Sequence, residues 1–354
     1  MVGSDGLLPL PWIEPALRRA FEAQNAHALL LHGPHGVGQF ELALTLAQAW
    51  LCEQRADARS VPCGACPGCK LVLAHSHPDL LVLLPANLQE SLRWGAVDSD
   101  EPAAERSSKT AKPSKEIKVE AVRAAVVFTQ TTSARGRGKV VVVHPAERMN
   151  AISSNTLLKT LEEPPGDARF ILTSAAPDAL LPTIRSRCLA VALGLPGVSM
   201  AVAWLEGQGV AGAATLLAAT GGQPQEALEW SGEGIDAAFW SRLPAMVRRG
   251  EAAALLAWPL PRLVDALQKV CHDAVCASIG TPCRYFPLGS VLPGADARAL
   301  EVWRLELQRV ARHAEHPWNG TLLVESLVQQ GSRALAGSNP GAPPARTGSV
   351  HSRA

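Results

Sequence analysis

The chain carries almost no net charge: 33 Lys and Arg against 32 Asp and Glu leave +1 over 354 residues. That balance gives no whole-molecule attraction to nucleic acid or an acidic surface, so any such contact has to come from a local patch or a larger assembly. No apolar run approaches the roughly 18 residues of a membrane-spanning helix. The stretch Met1 to Pro15 has no basic segment followed by a long apolar core, so no secretory leader is expected and the location expected is cytoplasmic. Cysteine is scarce except at one place. Cys52, Cys63, Cys66 and Cys69 fall within eighteen residues, whereas Cys188, Cys271, Cys276 and Cys283 show no metal-type spacing and read as reduced thiols.

At 354 residues the chain exceeds the size at which one core stops growing, and 47% apolar with 18% charged residues is ordinary for a globular protein, so two or three domains are expected. The first half alternates strand and helix signals, the pattern of an α/β domain with a mostly parallel sheet. Strands are expected at Ala28 to Leu31, Asp79 to Leu84, Lys139 to Val143, Arg169 to Thr173 and Leu189 to Leu193. From residue 85 to 118 the composition turns to Ser, Ala, Pro, Lys and Glu, and a disordered insertion is expected. Its Arg106, Lys109, Lys112, Lys115 and Lys118 read as a solvated loop, with DNA contact as the alternative. After about Pro196 the strand signals stop. Short helices broken at Gly207-Gln208-Gly209 and Gly221-Gly222 are expected, then a wholly helical stretch from about Ile235 and a disordered tail, 337–354. Asn319 is placed to cap a helix over Thr321 to Gln330.

Gly33-Pro34-His35-Gly36-Val37-Gly38-Gln39-Phe40 follows the first strand with the glycine spacing of a phosphate-binding loop, G-x-x-x-x-G-K-[ST]. In a working loop the Lys reaches the β/γ phosphate oxygens and the hydroxyl holds Mg²⁺. Gln39 stands at the Lys position and Phe40 at the hydroxyl position. A neutral amide supplies no cation and a phenyl ring binds no metal, so no functional ATP/Mg site is expected. Taken alone, the same glycines also fit an ordinary tight turn.

Cys63-x₂-Cys66-x₂-Cys69, with Cys52 eleven positions earlier, is spaced for one tetrahedral ion. Pro62, Gly64, Pro67 and Gly68 bend the chain enough for the sulfurs to converge. Four thiolates leave no open coordination position, which predicts one structural Zn²⁺ per chain rather than a catalytic metal. His75 and His77 lie near enough in sequence to replace one thiol. The turn Arg135-Gly136-Arg137-Gly138-Lys139 reads as a solvated basic loop, with a phosphate contact as the alternative.

Asn155-Thr156-Leu157-Leu158-Lys159-Thr160-Leu161-Glu162-Glu163-Pro164-Pro165, with Phe170 to Thr173 and Thr183-Ile184-Arg185-Ser186-Arg187-Cys188, closely resembles bacterial DNA polymerase III clamp-loader subunits of the AAA+ class. The altered glycine loop, the four early cysteines, Pro11-Trp12 and His316-Pro317-Trp318-Asn319 are similar to the delta-prime family within it. The resemblance implies an α/β P-loop NTPase-like (AAA+) domain with a zinc module over 1–193, a helical lid over 194–236 and an all-α collar over 237–336. It also implies that motor subunits carry Asp-Glu where this chain has His144 and Pro145, and a phosphate-sensing arginine where it has Gln225. Neither His144 nor Pro145 suits magnesium or water activation. Ser186-Arg187-Cys188 is intact, and by resemblance Arg187 is an arginine finger acting in trans; read by itself, it is an arginine bridging a helix end to a carboxylate. The expected partners are tau/gamma motor subunits and a delta subunit, with the sliding clamp and primed DNA reached through that assembly. The expected role is a non-ATPase stator. An ATP-hydrolysing motor subunit and a zinc-dependent nucleic-acid-binding module are the alternatives.

Overall fold

The computed structural model describes residues 1–23, 26–55, 57, 60–94, 113–291, 294–313 and 318–336. The expected tail, 337–354, lies outside the described residues, as do Arg106, Lys109, Lys112, His316 and Pro317. The chain divides into two compact units, Met1–Met200 and Ala201–Ala354.

Short, continuously apolar segments rich in Val, Ile and Leu suit a sheet covered on both faces. Five form one in the first unit: β1 (Ala28–His32), β2 (Leu80–Leu83), β3 (Val140–Val143), β4 (Arg169–Ser174) and β5 (Leu189–Ala192). All pair in parallel, in the order β2-β3-β4-β1-β5, with Leu30 opposite Leu172 and Val142 opposite Ile171. The expected strands match these within about a residue at each end.

The helices of this unit are α1 (Glu14–Glu22), α2 (Gln39–Leu51), α3 (Pro67–Leu73), α4 (Ala86–Gln89), α5 (Val119–Gln130), α6 (Ala151–Glu162) and α7 (Pro182–Arg185). Leu30, Val141, Val143, Phe170 and Leu172 form one core with Val122 and Ala125 of α5 and Leu157 and Leu161 of α6. Because strand side chains alternate, Leu29, Leu31, Val140, Val142 and Ile171 point to the opposite face, where α2 packs.

The flanks of the expected insertion carry structure, while residues 95–112 lie outside the described residues. Residues 86–89 are helical, Trp94 is buried with its ring 3.8 Å from that of His75, and Ile117 is buried and bridged to Met149. Single large apolar residues at the flanks anchor segments whose average composition is polar.

In the second unit α8 (Val198–Gly207, which begins just before the division), α9 (Ala213–Ala219) and α10 (Pro224–Gly232) surround a small apolar cluster that includes Leu205, Leu216 and Ala227. A larger core gathers α11 (Ala237–Arg248), α12 (Leu260–Ser278), α13 (Ala297–Arg312) and α14 (Gly320–Leu335) around Trp230, Trp240, Leu267, Trp303 and Leu327. The Asn319 side chain accepts from the Leu322 amide and caps α14, as the sequence predicts.

The stretch from Ile235 is not wholly helical. Between α12 and α13 the chain is irregular, and a fully buried carboxylate holds it. Asp273 Oδ1 accepts from the Arg284 amide at 3.0 Å, and Oδ2 accepts from those of Tyr285 and Phe286 at 2.8 and 2.9 Å. Phe286 then stacks on Trp240 at 4.7 Å, and Trp240 Nε1 donates to Tyr285 O. Side-chain acceptance of three consecutive amides replaces the hydrogen bonds that a helix would supply. Asp273→Ala leaves three amides, the Phe286 one buried, without their acceptor and should destabilise the second unit by roughly 2–4 kcal/mol. Denaturant unfolding followed by tryptophan emission measures this; a loss below ~1 kcal/mol would show that the loop does not depend on the carboxylate.

Candidate functional site

The loop after β1 is shaped by close approaches that leave no room for side chains. A Cβ on Gly33 would stand 1.9 Å from Leu193 O, and Gly38, at φ +98°, precedes α2 with Leu10 Cδ1 2.2 Å from where its Cβ would be. Trp12 Nε1 donates to Val37 O at 2.8 Å, so Trp12 braces the loop from behind.

The two altered positions are both buried. Gln39 Nε2 donates to Gly33 O at 2.8 Å and to Pro34 O at 2.5 Å, so the amide is turned into the loop's own carbonyls. Phe40 lies against His144 with ring centroids 4.6 Å apart and meets the Trp94 edge at 6.4 Å. His144 Nδ1 is 2.7 Å from Thr173 Oγ1, whose hydroxyl donates to Val143 O. Burial first, and His35 second, push the His144 pKa down to about 4. The arrangement offers a neutral amide, a phenyl ring and a neutral imidazole where a nucleotide site needs cations. Pro145 follows His144 at the end of β3 and starts a 3₁₀ turn, Ala146–Arg148. Gln225 lies in the first turn of α10, in the second unit.

Arg187 lies between α7 and β5. Its Nε and Nη2 both donate to Glu162 Oε1, the former at 2.6 Å, and Nη1 donates to Thr183 O at 2.8 Å. Glu162 is the last residue of α6, so within this chain Arg187 does bridge a helix end to a carboxylate. Neighbouring Arg185 pairs with Asp178 at 2.6 Å.

The four early cysteines converge. Sγ separations are 3.6 Å for Cys52–Cys63, 3.9 Å for Cys52–Cys66 and 3.9 Å for Cys63–Cys69, and all four sulfurs lie within 4.8 Å of one another. A metal–sulfur bond of about 2.3 Å in a tetrahedron gives an edge of about 3.8 Å, so these separations fit one ion. Backbone N–H groups of Cys66 and Cys69 point at Cys63 Sγ and Cys66 Sγ, at 3.3 and 3.4 Å. Burial opposes the Cys66 thiolate, but the amides of Cys69 and Glu53 and the flanking thiols outweigh it and bring its pKa to about 6. Burial holds Cys52 and Cys69 above the usual thiol range. Neither nearby histidine joins the group: His75 Nδ1 meets Arg93 O at 2.9 Å, and His77 Nδ1 accepts from the Asp79 amide at 3.0 Å.

Arg135, Gly136 and Arg137 of the basic turn are exposed, as a solvated loop is, yet both arginines have partners. Arg135 pairs with Glu53, and Arg137 Nη2 donates to Glu53 O at 2.8 Å, so both arginines clamp the residue beside Cys52. Lys139 is buried, 3.2 Å from Asp79 and over the Phe128 ring at 4.3 Å. Burial opposes the Asp79 carboxylate, but the amides of Ala134 and Arg135, with Lys139 and Ser133, hold its pKa below the ordinary range. A second grouping, His272, Asp273 and Cys276, is accounted for by the amides that Asp273 already holds.

A parallel sheet ordered β2-β3-β4-β1-β5, with a glycine loop leading from β1 into a helix, is the architecture of the P-loop nucleotide-binding class. A family model described as DNA polymerase III, delta subunit, matches residues 13–195. Over 331 residues the chain is 34% identical to the DNA polymerase III subunit delta' of Pseudomonas aeruginosa, covering 87% of this chain and 92% of that one. The subunit delta' of Escherichia coli is 30% identical over 294 residues, 77% of this chain and 80% of its own. A shorter match, 33% over 163 residues, is to the DNA polymerase III subunit tau of Escherichia coli, covering 46% of this chain and 21% of that one. The chain belongs to the DNA polymerase III delta-prime subunit family.

The neutral state of His144 has a pH consequence. With a folded pKa near 4 against an ordinary 6.5, the unfolded chain binds a proton that the folded chain refuses between those values. The contribution is complete above pH 6.5 and drains as pH falls toward 4, by ~2 kcal/mol once the ring's residual solvent contact is discounted. His144→Gln should remove that part of the acid destabilisation; an equal fall in stability between pH 7.5 and 4.5 in both proteins would contradict it.

Proposed function

We propose that this chain is the non-hydrolysing stator of a bacterial DNA polymerase III clamp loader. Its ATP site is degenerate, and it serves a neighbouring motor subunit's site through Arg187. The observation that carries the reading is the inward turn of Gln39 together with the Phe40–His144 stack, in a chain of the delta-prime family. The loop keeps the backbone of a phosphate cradle, while its cation and metal positions are taken by neutral groups packed against protein. An ATP-hydrolysing motor is disfavoured on the same ground.

In this reading the first unit is the AAA+ domain, the small cluster around Leu205 and Leu216 is the lid, and the four-helix core of α11 to α14 is the collar that assembles with tau/gamma and delta subunits. The assembly loads the sliding clamp onto primed DNA, and the stator gives the motors a face to move against. Cys52, Cys63, Cys66 and Cys69 would hold a structural Zn²⁺, fixing the segment between α2 and α3. A nucleic-acid-binding module built on the cysteines and the basic turn is disfavoured, because Arg135 and Arg137 are committed to Glu53.

Purified protein should contain about one zinc per chain, and Cys66→Ser should lose most of it. Metal analysis finding none in the intact protein would remove the zinc assignment.

A guanidinium at a γ-phosphate is worth on the order of 10³–10⁵ in rate at the site it serves. Arg187→Ala should therefore leave co-purification with motor and delta subunits intact while silencing one site's share of ATP hydrolysis stimulated by clamp and primed DNA. The isolated chain should not turn over ATP. Substantial turnover would favour the motor reading, and unchanged hydrolysis by the assembled Arg187→Ala complex would remove the finger.

A further inference from the structure

We propose that Glu162 is the positioning residue for Arg187, fixing the plane of the guanidinium so that its remaining edge is presented outward to a neighbour's nucleotide. This rests on the reading of Arg187 as a finger acting in trans.

The guanidinium is held on two sides. Glu162 Oε1 takes Nε and Nη2, while Thr183 O at 2.8 Å and Ser186 Oγ at 3.4 Å take Nη1. An arginine has five N–H donors, so these contacts use at most four and leave an Nη2 hydrogen directed away from the carboxylate. The side chain is 29% exposed, which leaves it reachable from outside while its own chain constrains it.

Both anchors are themselves rigid. Pro164 and Pro165 follow α6 immediately and end it at Glu163, whose φ of −129° and ψ of 78° are no longer helical, so Glu162 is fixed at a defined helix end. Thr183 lies in α7, which Pro182 opens, and the Arg187 amide donates to Ile184 O at 3.2 Å. A long cationic side chain on such supports loses its freedom before any partner arrives, which is what a group acting at a reacting phosphate requires.

Glu162 is poorly placed for stability. A carboxylate in the last turn of a helix faces the negative end of the helix dipole and is unfavourable there. The side chain is 47% exposed, so the ion pair adds little to folding. An acid that gains its own helix nothing, yet takes two donors of one arginine, has its effect through that arginine.

The test uses the assembled complex with clamp and primed DNA, reading the Arg187-dependent part of ATP turnover, that is, wild type less Arg187→Ala. Glu162→Ala should lower that part roughly twofold to tenfold, the scale of freeing one rotamer-rich side chain. The fall should appear in kcat with KM for ATP little changed. Glu162→Gln, which keeps an acceptor oxygen, should recover part of it. Glu162→Ala combined with Arg187→Ala should match Arg187→Ala alone, because Glu162 acts only through the arginine. Thermal unfolding and co-purification should be unchanged, since the pair is exposed.

Turnover by Glu162→Ala equal to or above wild type would overturn the proposal, the latter by showing that the carboxylate restrains the arginine. A double variant weaker than Arg187→Ala alone would overturn it too. If Arg187→Ala itself has no effect, the finger reading fails first and this inference falls with it.

Discussion

The parallel pairing of β1 with β4, and of β4 with β3, is the constraint from which the rest of the first unit follows. It brings the carboxyl ends of three strands to one edge: Gly33 after β1, His144 after β3 and Thr173 near the end of β4. Gly33 is tied there by its amide to Ser174 O and by the close approach of Leu193 O. Phe40, at the second position of α2, and His144, just after β3, therefore meet in the same small volume. What fills that volume is a matter of sequence; that something must is a matter of topology.

In this chain it is filled by groups without charge. A lysine at position 39 would need an anion opposite it, whereas Gln39 satisfies itself on two loop carbonyls. The Phe40–His144 stack is self-consistent in the same way, because burial depresses the imidazole pKa and the neutral ring packs against a phenyl face. Burial first, and His35 second, disfavour a protonated His144, and a further cation beside it would do the same.

Much of the fold is legible in the sequence because the strands are continuous apolar runs bounded by glycine and proline. The run from Val140 to Val143 is β-branched throughout and buried, as a central strand requires. The cysteine group is legible from spacing alone, since two residues between thiols and turn formers beside them determine convergence. Legibility ends where partners are distant in sequence. Arg135 and Arg137 are exposed, as their sequence suggests, but nothing near them announces that both close on Glu53, eighty-odd positions earlier. Asp273 shows the same limit, although Gly280, Pro282, Pro287 and Gly289 carry the local signal that α12 must stop. Trp94 and Ile117 were hidden by averaging, because one large apolar residue anchors a segment whatever its neighbours are. Glu162 lies in the segment 155–165 and Arg187 in 183–188, and nothing in either announces that the two side chains pair.

Charge in this domain is consequently distributed by purpose. The loop at the end of β1 closes upon its own carbonyls, while the guanidinium before β5 is partly exposed and held by a carboxylate at a helix end. An arginine meant only for stability would serve better buried, with both carboxylate oxygens engaged in a bidentate pair. Arg187 instead shares a single oxygen of Glu162 and leans on a backbone carbonyl. That geometry sets direction at the expense of pairing strength, which fits a group whose strongest partner lies outside the chain. On the proposed reading, a neutral loop and an oriented arginine are two sides of one arrangement: Gln39 closes on the loop's own carbonyls, while Glu162 and Thr183 set the guanidinium for a neighbour's site.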